Sequence, residues 1–449
     1  VSESISLPSP ENENPSRVVW ALAWPAVALN SLQVVNTLLD RGFIGHLQTS
    51  ALTAHGGATN VMFLMFSLAM ALGTAGTAIV ARAFGAGNHN ELREASNQTV
   101  RLAGIAGIAA LLLCVAITPG MSTVVLPRSD PQAMRLMREF LFAYAFSLPA
   151  VYMIQVLAGG LRGVGDTRSP MVISGIQIGL HIAFNVLLIP RMGLQGAAHS
   201  LSASAWIAAV GYLLYVRRTP LGASHPFGLP DLGWAKRILR IAIPAAGMAL
   251  LRVFSFTTFT IILTGVPNAS VAIAALSVAI AIESIMFMPP FGLSMAAGAL
   301  VGQSLGMRKP DRASRLGWIA GHHGGMVTLL ISIPIFVFSM PLAMALVGDK
   351  PDVAQEASSL LRILIVTEVL FSYSMVLAGA LQGAGDTVRP MWVSVISLWL
   401  LRVPMAWILA IPLGYGATGA WIAMSVSQAV AGMLTIWLWH RGGWKETEV

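Results

Sequence analysis

The chain has 449 residues, of which 56% are hydrophobic and only 10% charged, with a net charge of +8. Apolar runs of about 18 residues or more recur throughout, so this composition excludes a soluble protein and requires a polytopic membrane one. The single cysteine, Cys114, lies inside an apolar run and excludes both a disulfide framework and a thiolate metal site.

The opening residues 1–16, VSESISLPSPENENPS, are polar and rich in Pro, Ser and Glu, and read as a disordered cytoplasmic tail. A span needs roughly 20 apolar residues. Twelve are predicted: 18–45, 53–83, 97–119, 135–160, 169–190, 194–216, 236–265, 270–303, 316–342, 355–380, 388–413 and 415–439. Gly, Pro, Asn and charged residues occupy the breaks, as they do at helix ends. The longest hydrophilic connection, 217–234, holds three prolines and no apolar period, and is read as a linker between two halves. Residues 441–449 form a short closing tail.

The halves are copies. VLAGGLRGVGDTRSPM (156–171) returns as VLAGALQGAGDTVRPM (376–391), with eleven of sixteen positions identical at a spacing of 220 residues. Three further echoes keep the same order: 78–95 with 299–313, LAWPA (22–26) with IAIPA (241–245), and Gly196-Ala197 with Gly419-Ala420. Residues 17–216 therefore form one six-span lobe and 235–440 a second. An even number of spans gives the two lobes the same orientation, as parallel repeats. The expected fold is all-α and integral to the membrane, with twelve transmembrane helices in two lobes and a cavity between them whose access alternates as the lobes rock.

Lys and Arg are divided eighteen to five between the two sides, the richer side being that of both termini and the linker. The positive-inside rule makes that side cytoplasmic. It also accounts for the basic charge without nucleic acid as a partner.

The repeated G-x-G-D-T-x-x-P motif falls at a cytoplasmic boundary in each lobe. Gly163, Gly165, Gly383 and Gly385 are expected to allow a tight turn with positive φ. Asp166 and Asp386 are expected to cap the next helix. The motif lacks the Gly-Lys-Ser/Thr ending of a phosphate loop. Intramembrane aspartyl proteases also carry G-x-G-D, but they need a second aspartate after a tyrosine, and the chain has no Tyr-Asp pair. Nucleophile motifs and spaced His or Cys ligands are absent as well, so neither an enzyme nor a bound metal is expected.

Intramembrane ionisable groups cost about 2.5–3.5 kcal/mol or more each and mark function by default. In span one, Asn30, Gln33, Asn36 and Asp40 recur every three or four residues, within an arc of roughly 120° on the helix. This stripe ends in a carboxylate, which either carries a cation or is neutralised by Arg41 or another helix. His181 and Asn185 stand at i and i+4 on span five, either as a titrating pair or as satisfied core residues. In the second lobe Glu283, Glu368, Arg252 and Arg402 either pair with one another or present a carboxylate to a cationic substrate. Met286 follows Glu283 and suits an adaptable apolar surface. Asn30, Gln33, Glu283, Met286, Glu368 and Arg402 are read as the candidate substrate cavity.

LLDRGFIGHL ending span one, VARAFGAGN after span two, LVGQSLG after span eight and the doubled L-x-G-x-G-D-T-x-x-P together resemble the MATE multidrug and toxic compound extrusion transporters. The resemblance runs from about residue 17 to 440, and its first span is most similar to the DinF-like branch. It implies a V-shaped antiporter of the plasma (inner) membrane that exports organic cations or toxic compounds, driven by H⁺ or Na⁺. It places Asp40 at that branch's coupling carboxylate, in a network with Asn36, His181 and Asn185, and ties its protonation to bending of the first helix near Pro25. Relatives often carry Asn at the position of His181, Asp at that of Asn185 and Thr at that of Leu201. An imidazole in place of oxygen ligands disfavours Na⁺, a hard cation. Proton coupling through Asp40, with His181 as a second titrating group, is therefore expected. Flipping of lipid-linked oligosaccharide, carried out in the wider superfamily, usually involves more spans and a cavity rich in cations. Two-lobe transporters need no partner, so a monomer is expected, with only a small organic substrate and the bilayer as its company.

Overall fold

The computed structural model describes residues 14–126, 129–223, 225 and 228–449. Most of the predicted opening tail and Arg128 thus lie outside the described residues. The first lobe consists of α1 (Pro15–Gly45), α2 (Thr49–Gly85), α3 (His89–Val125), α4 (Pro131–Ala145), α5 (Leu148–Gly163), α6 (Arg168–Met192) and α7 (Leu194–Val216). The second consists of α8 (Leu232–Leu263), α9 (Ala269–Gly306), α10 (Pro310–Val337), α11 (Ser339–Val347), α12 (Pro351–Gly383), α13 (Val388–Ser394), α14 (Val403–Ala410) and α15 (Gly416–Arg441). Eleven helices are long and apolar enough to cross a membrane, and α4 with α5, bent by 49°, makes a twelfth span.

Three spans depart from plain helices, each for a local reason. Pro149 cannot donate into the turn before it, so the fourth span breaks at Phe146–Ser147. The Phe146 carbonyl is taken up by the Trp206 indole N–H at 2.9 Å. The ninth span ends at Val337 rather than at 342; Phe338 separates α10 from α11 between Pro334 and Pro341. The eleventh passes from α13 through a π-helical stretch, Val395–Arg402, into α14.

The predicted boundaries shift in three places. Pro15 and Ser16 already belong to α1, where Asn14 caps Ser16 N–H at 3.0 Å. The linker gives way to α8 at Leu232, and it is strapped along α3. Asn97 Oδ1 accepts the His225 N–H at 3.0 Å, Gln98 Oε1 accepts that of Asp231 at 2.8 Å, and Arg237 at the start of α8 pairs with Glu91 at 2.8 Å. The closing tail is also structured: Gly443–Glu446 is a 3₁₀ turn whose buried Trp444 stacks on Trp439 with ring centroids 4.0 Å apart.

The repeated motif does two jobs, divided between its glycines. Only the second glycine of each copy has positive φ, +91° at Gly165 and +88° at Gly385. Gly163 and Gly383 end their helices with ordinary φ, and serve close packing instead. With Gly159 and Gly379 one turn earlier they let α5 lie against α2, and α12 against α9, at backbone distance. Thr77 Oγ1 donates to Gly159 O at 3.0 Å across the first of these seams. Asp166 Oδ1 accepts Ser169 N–H at 2.9 Å and Asp386 Oδ1 accepts Arg389 N–H at 3.2 Å, so both aspartates cap the helix that follows.

The same motif joins the lobes. At the end of α2, Arg82 Nη2 donates to Ala384 O in the second lobe's turn at 3.1 Å. At the equivalent end of α9, Gln303 Nε2 donates to Gly163 O in the first lobe's turn at 2.9 Å. Between them Gly85 faces the Gln303 backbone and Gly306 faces that of Arg82, with no room for a Cβ at either. The result is a nearly symmetric clasp at the end that holds α1's N-terminus and the linker. Higher up, α1 leans on α9, where Ser31 Oγ meets Met288 Sδ at 3.5 Å and Gly292 sits against Val27.

Each clasp hydrogen bond contributes about 1 kcal/mol, so the pair holds the closed end by a factor of roughly 30. The Arg82→Ala/Gln303→Ala variant should show faster hydrogen–deuterium exchange in 82–87, 163–166, 303–308 and 383–386. Exchange in α6 and α7 should not change. Identical exchange at the clasp would mean that these bonds contribute nothing to closure.

Candidate functional site

The polar stripe of α1 packs against α6, and α6 against α7. Because His181 and Asn185 are one helical turn apart, both turn to the same side of α6, towards α1. There they meet the carboxylate. His181 Nε2 lies 3.0 and 3.2 Å from the two oxygens of Asp40. Asn185 Nδ2 donates to Oδ1 at 2.7 Å, and Asn36 Nδ2 to Oδ2 at 3.3 Å. His181 and Asn185 are 5% and 1% exposed, whereas the Asp40 side chain keeps 21% of its surface open. The carboxylate is thus bound on one side and reachable on the other.

The third wall comes from α7. Gly196 lets the start of this helix press on the backbone of Leu188, which brings Ser200, one turn on, against the His181 ring. Ser200 Oγ is 3.0 Å from His181 Nδ1 and donates to His181 O at 2.7 Å. Ser200 is fully buried and was not among the sequence candidates. The sequence reading pointed one position away, to Leu201, and only the close approach at Gly196 selects the serine. His55 on α2 was missed too. Its ring stands edge-on to Phe140 at 5.5 Å, its Nδ1 is buried without a partner, and Asp40 and Arg41 are the charges that act on it.

The rest of the stripe is divided. Gln33 is exposed, and Asn30 has a buried Nδ2 with no partner. Neither joins the Asp40 cluster in this conformation. Arg41 is exposed. Pro25 lies buried inside α1, which continues through it as one helix.

In the second lobe Glu283 on α9 and Glu368 on α12 lie close enough to act on each other electrostatically. Gln428 Nε2 on α15 donates to Glu283 at 3.3 Å, and its Oε1 accepts from Thr367 at 3.4 Å. Arg402 turns to Ser427 instead, its Nε donating at 2.7 Å. Glu283, Met286 and Glu368 are 2%, 1% and 1% exposed. They lie in the interior of the lobe rather than on an open cavity wall, and Met286 is part of its apolar core.

Two six-span lobes of parallel plan, clasped at one end and each holding a carboxylate among polar side chains, have the architecture of a secondary membrane transporter. The chain belongs to the MatE family, whose model matches residues 25–187 in the first lobe and 244–408 in the second. Among curated relatives it is 28% identical to a probable multidrug resistance protein NorM of Thermotoga maritima, over 99% of this chain and 96% of that one. It is 26% identical to the multidrug resistance protein MdtK of Edwardsiella ictaluri, over 93% and 94% of the two chains. The fold matches a MOP superfamily transporter from Pyrococcus furiosus with a TM-score of 0.90 at 21% identity, covering 97% of this chain and 98% of that one. It also matches a multidrug resistance MATE family transporter in its outward-facing conformation, with a TM-score of 0.88 at 21% identity over the same shares.

Removing one partner of the second-lobe cluster separates hydrogen bonding from bulk. Glu283→Ala leaves Gln428 short of a partner in the interior and should cost about 1–3 kcal/mol. Glu283→Gln keeps the bond to Gln428 and should cost less than half as much. Thermal unfolding in detergent measures both, and equal losses would show that the hydrogen bonds are not what matters there.

Proposed function

We propose that the chain is a proton-driven antiporter that exports organic cations and other toxic compounds by alternating access. Asp40 carries the proton and His181 shares it. The observation that carries this reading is the Asp40 cluster itself: a half-open carboxylate inside the membrane, held by His181, Asn185 and Asn36, at the junction of two helices. An ionisable group so placed is costly unless it is used. The names of the Thermotoga maritima and Edwardsiella ictaluri relatives support efflux of drugs. The donor set favours a proton over sodium, because imidazole and amide N–H groups face the carboxylate where a hard cation would want oxygens.

Lys and Arg concentrate at the clasped end, which the positive-inside rule makes cytoplasmic. On this reading both termini lie in the cytoplasm, the membrane is the plasma (inner) membrane, and the described conformation is closed to the cytoplasm. The transporter works as a monomer, because each lobe supplies the other's half of the clasp.

The test is efflux of a fluorescent organic cation from liposomes, with a pH gradient and a sodium gradient imposed separately. The pH gradient should drive efflux, and Asp40→Asn should reduce it at least tenfold. Efflux driven by sodium at fixed pH would overturn proton coupling. A normal Asp40→Asn variant would move the coupling site to Glu283 and Glu368.

A further inference from the structure

The bonding around Ser200 determines which ring nitrogen of His181 can hold a hydrogen. A serine hydroxyl has one hydrogen to give. Ser200 Oγ is 2.7 Å from the His181 carbonyl oxygen, which can only accept, so the hydrogen is spent there. The 3.0 Å contact with Nδ1 must then run the other way, from ring N–H to Oγ. Neutral His181 is therefore the Nδ1–H tautomer, and its Nε2 turns a lone pair towards Asp40.

Two charge states satisfy the 3.0 Å contact between Asp40 and Nε2. Either the protonated carboxyl donates to Nε2, or the imidazolium donates to the carboxylate. Both hold one proton between the two residues. With none, a carboxylate would face a lone pair, and the contact would repel.

We propose that Ser200 is a positioning residue that makes the contact between α1 and α6 conditional on the transported proton. When the proton leaves, the His181 contact opens and Asp40 stays held by Asn185 and Asn36 alone. Without the Ser200 hydroxyl the neutral ring is free to carry its hydrogen on Nε2 and to donate to an ionised Asp40. The contact then survives with no proton aboard, and the link between proton and helix is broken.

The inference rests on proton coupling through Asp40 for its transport consequence, but not for the tautomer. Ionisable groups close to the pair along the packed helices are Arg41 on α1 itself, His55 on α2, on which Asp40 and Arg41 act, and His199 on α7, exposed and next to Ser200. Of the remaining helices packed on α1, α9 meets it at Met288 and Gly292, and α10 brings His323 against Trp20, far along the helix from Asp40. On its other side α6 meets α7, which contributes the Ser200 hydroxyl.

Nitrogen-15 NMR of histidine-labelled protein tests the tautomer directly, with the His181 signal assigned by its loss in His181→Asn. At a pH where the ring is neutral, wild type should show hydrogen on Nδ1, and Ser200→Ala should move it to Nε2. In liposomes Ser200→Ala should lose at least tenfold of its pH-driven efflux and flatten the pH profile, while binding of the fluorescent cation in detergent changes less than twofold. Ser200→Thr keeps the hydroxyl and should restore both the tautomer and the profile. Hydrogen on Nε2 in the wild type overturns the inference without reference to transport or to any variant. A Ser200→Ala profile matching wild type, with Asp40→Asn still uncoupled, overturns it and leaves proton coupling standing. Transport driven by sodium alone removes the proton reading, and the NMR result then decides the tautomer separately.

Discussion

A charged side chain in the middle of a bilayer must take its solvation from other residues, and that requirement explains where this molecule keeps its polar atoms. Around Asp40 the substitute solvent is an imidazole, two amides and, one bond further out, a hydroxyl. Around Glu283 it is a second carboxyl group and an amide. Each set is drawn from three helices, so neither can assemble unless those helices are already side by side. The packing of small residues that brings helices to backbone distance is therefore a precondition of the chemistry.

The duplication makes a controlled comparison possible within one chain. The two lobes share their helix order, their capping aspartates and their glycine seams, yet their charges occupy different addresses. By the nearest echo, 22–26 with 241–245 at a spacing of 219, Asp40 corresponds to Phe259, which is buried in an apolar cluster, and at 220 His181 and Asn185 correspond to Leu401 and Met405. By the echo of 78–95 with 299–313, at a spacing of 221, Glu283 corresponds to Met62, and at 220 Glu368 corresponds to Leu148. The scaffold tolerates a polar cluster at either of two places per lobe, and this chain fills one place in each. Copied backbone and uncopied polarity mean that structure is constrained in both halves while each carries its own polar cluster.

Much of this was legible in the sequence because the signals were periodic or repeated. The spans follow from apolar length, the lobes from the 220-residue echo, and the meeting of Asp40 with His181 and Asn185 from two helical stripes and a family resemblance. What could not be read was set by contacts between residues far apart in the chain. Ser200 carries no pattern of its own, and its role depends on Gly196 allowing α7 to approach Leu188. The same holds for Glu283 and Glu368: the sequence left open whether they pair with one another or present a carboxylate to substrate, and only the fold shows both buried inside the second lobe. The doubled glycines looked like one turn motif, but only backbone geometry separates the residue that turns from the residue that packs.

The linker has a mechanical meaning that goes beyond connecting the lobes. Because it is tied to Asn97 and Gln98, and α8 begins with Arg237 paired to Glu91, the second lobe is pinned to the first at one corner. That corner is a fulcrum. With 32 residues, α8 is a lever arm of about 48 Å, so a tilt of about 10° at the pinned end carries the far end roughly 8 Å.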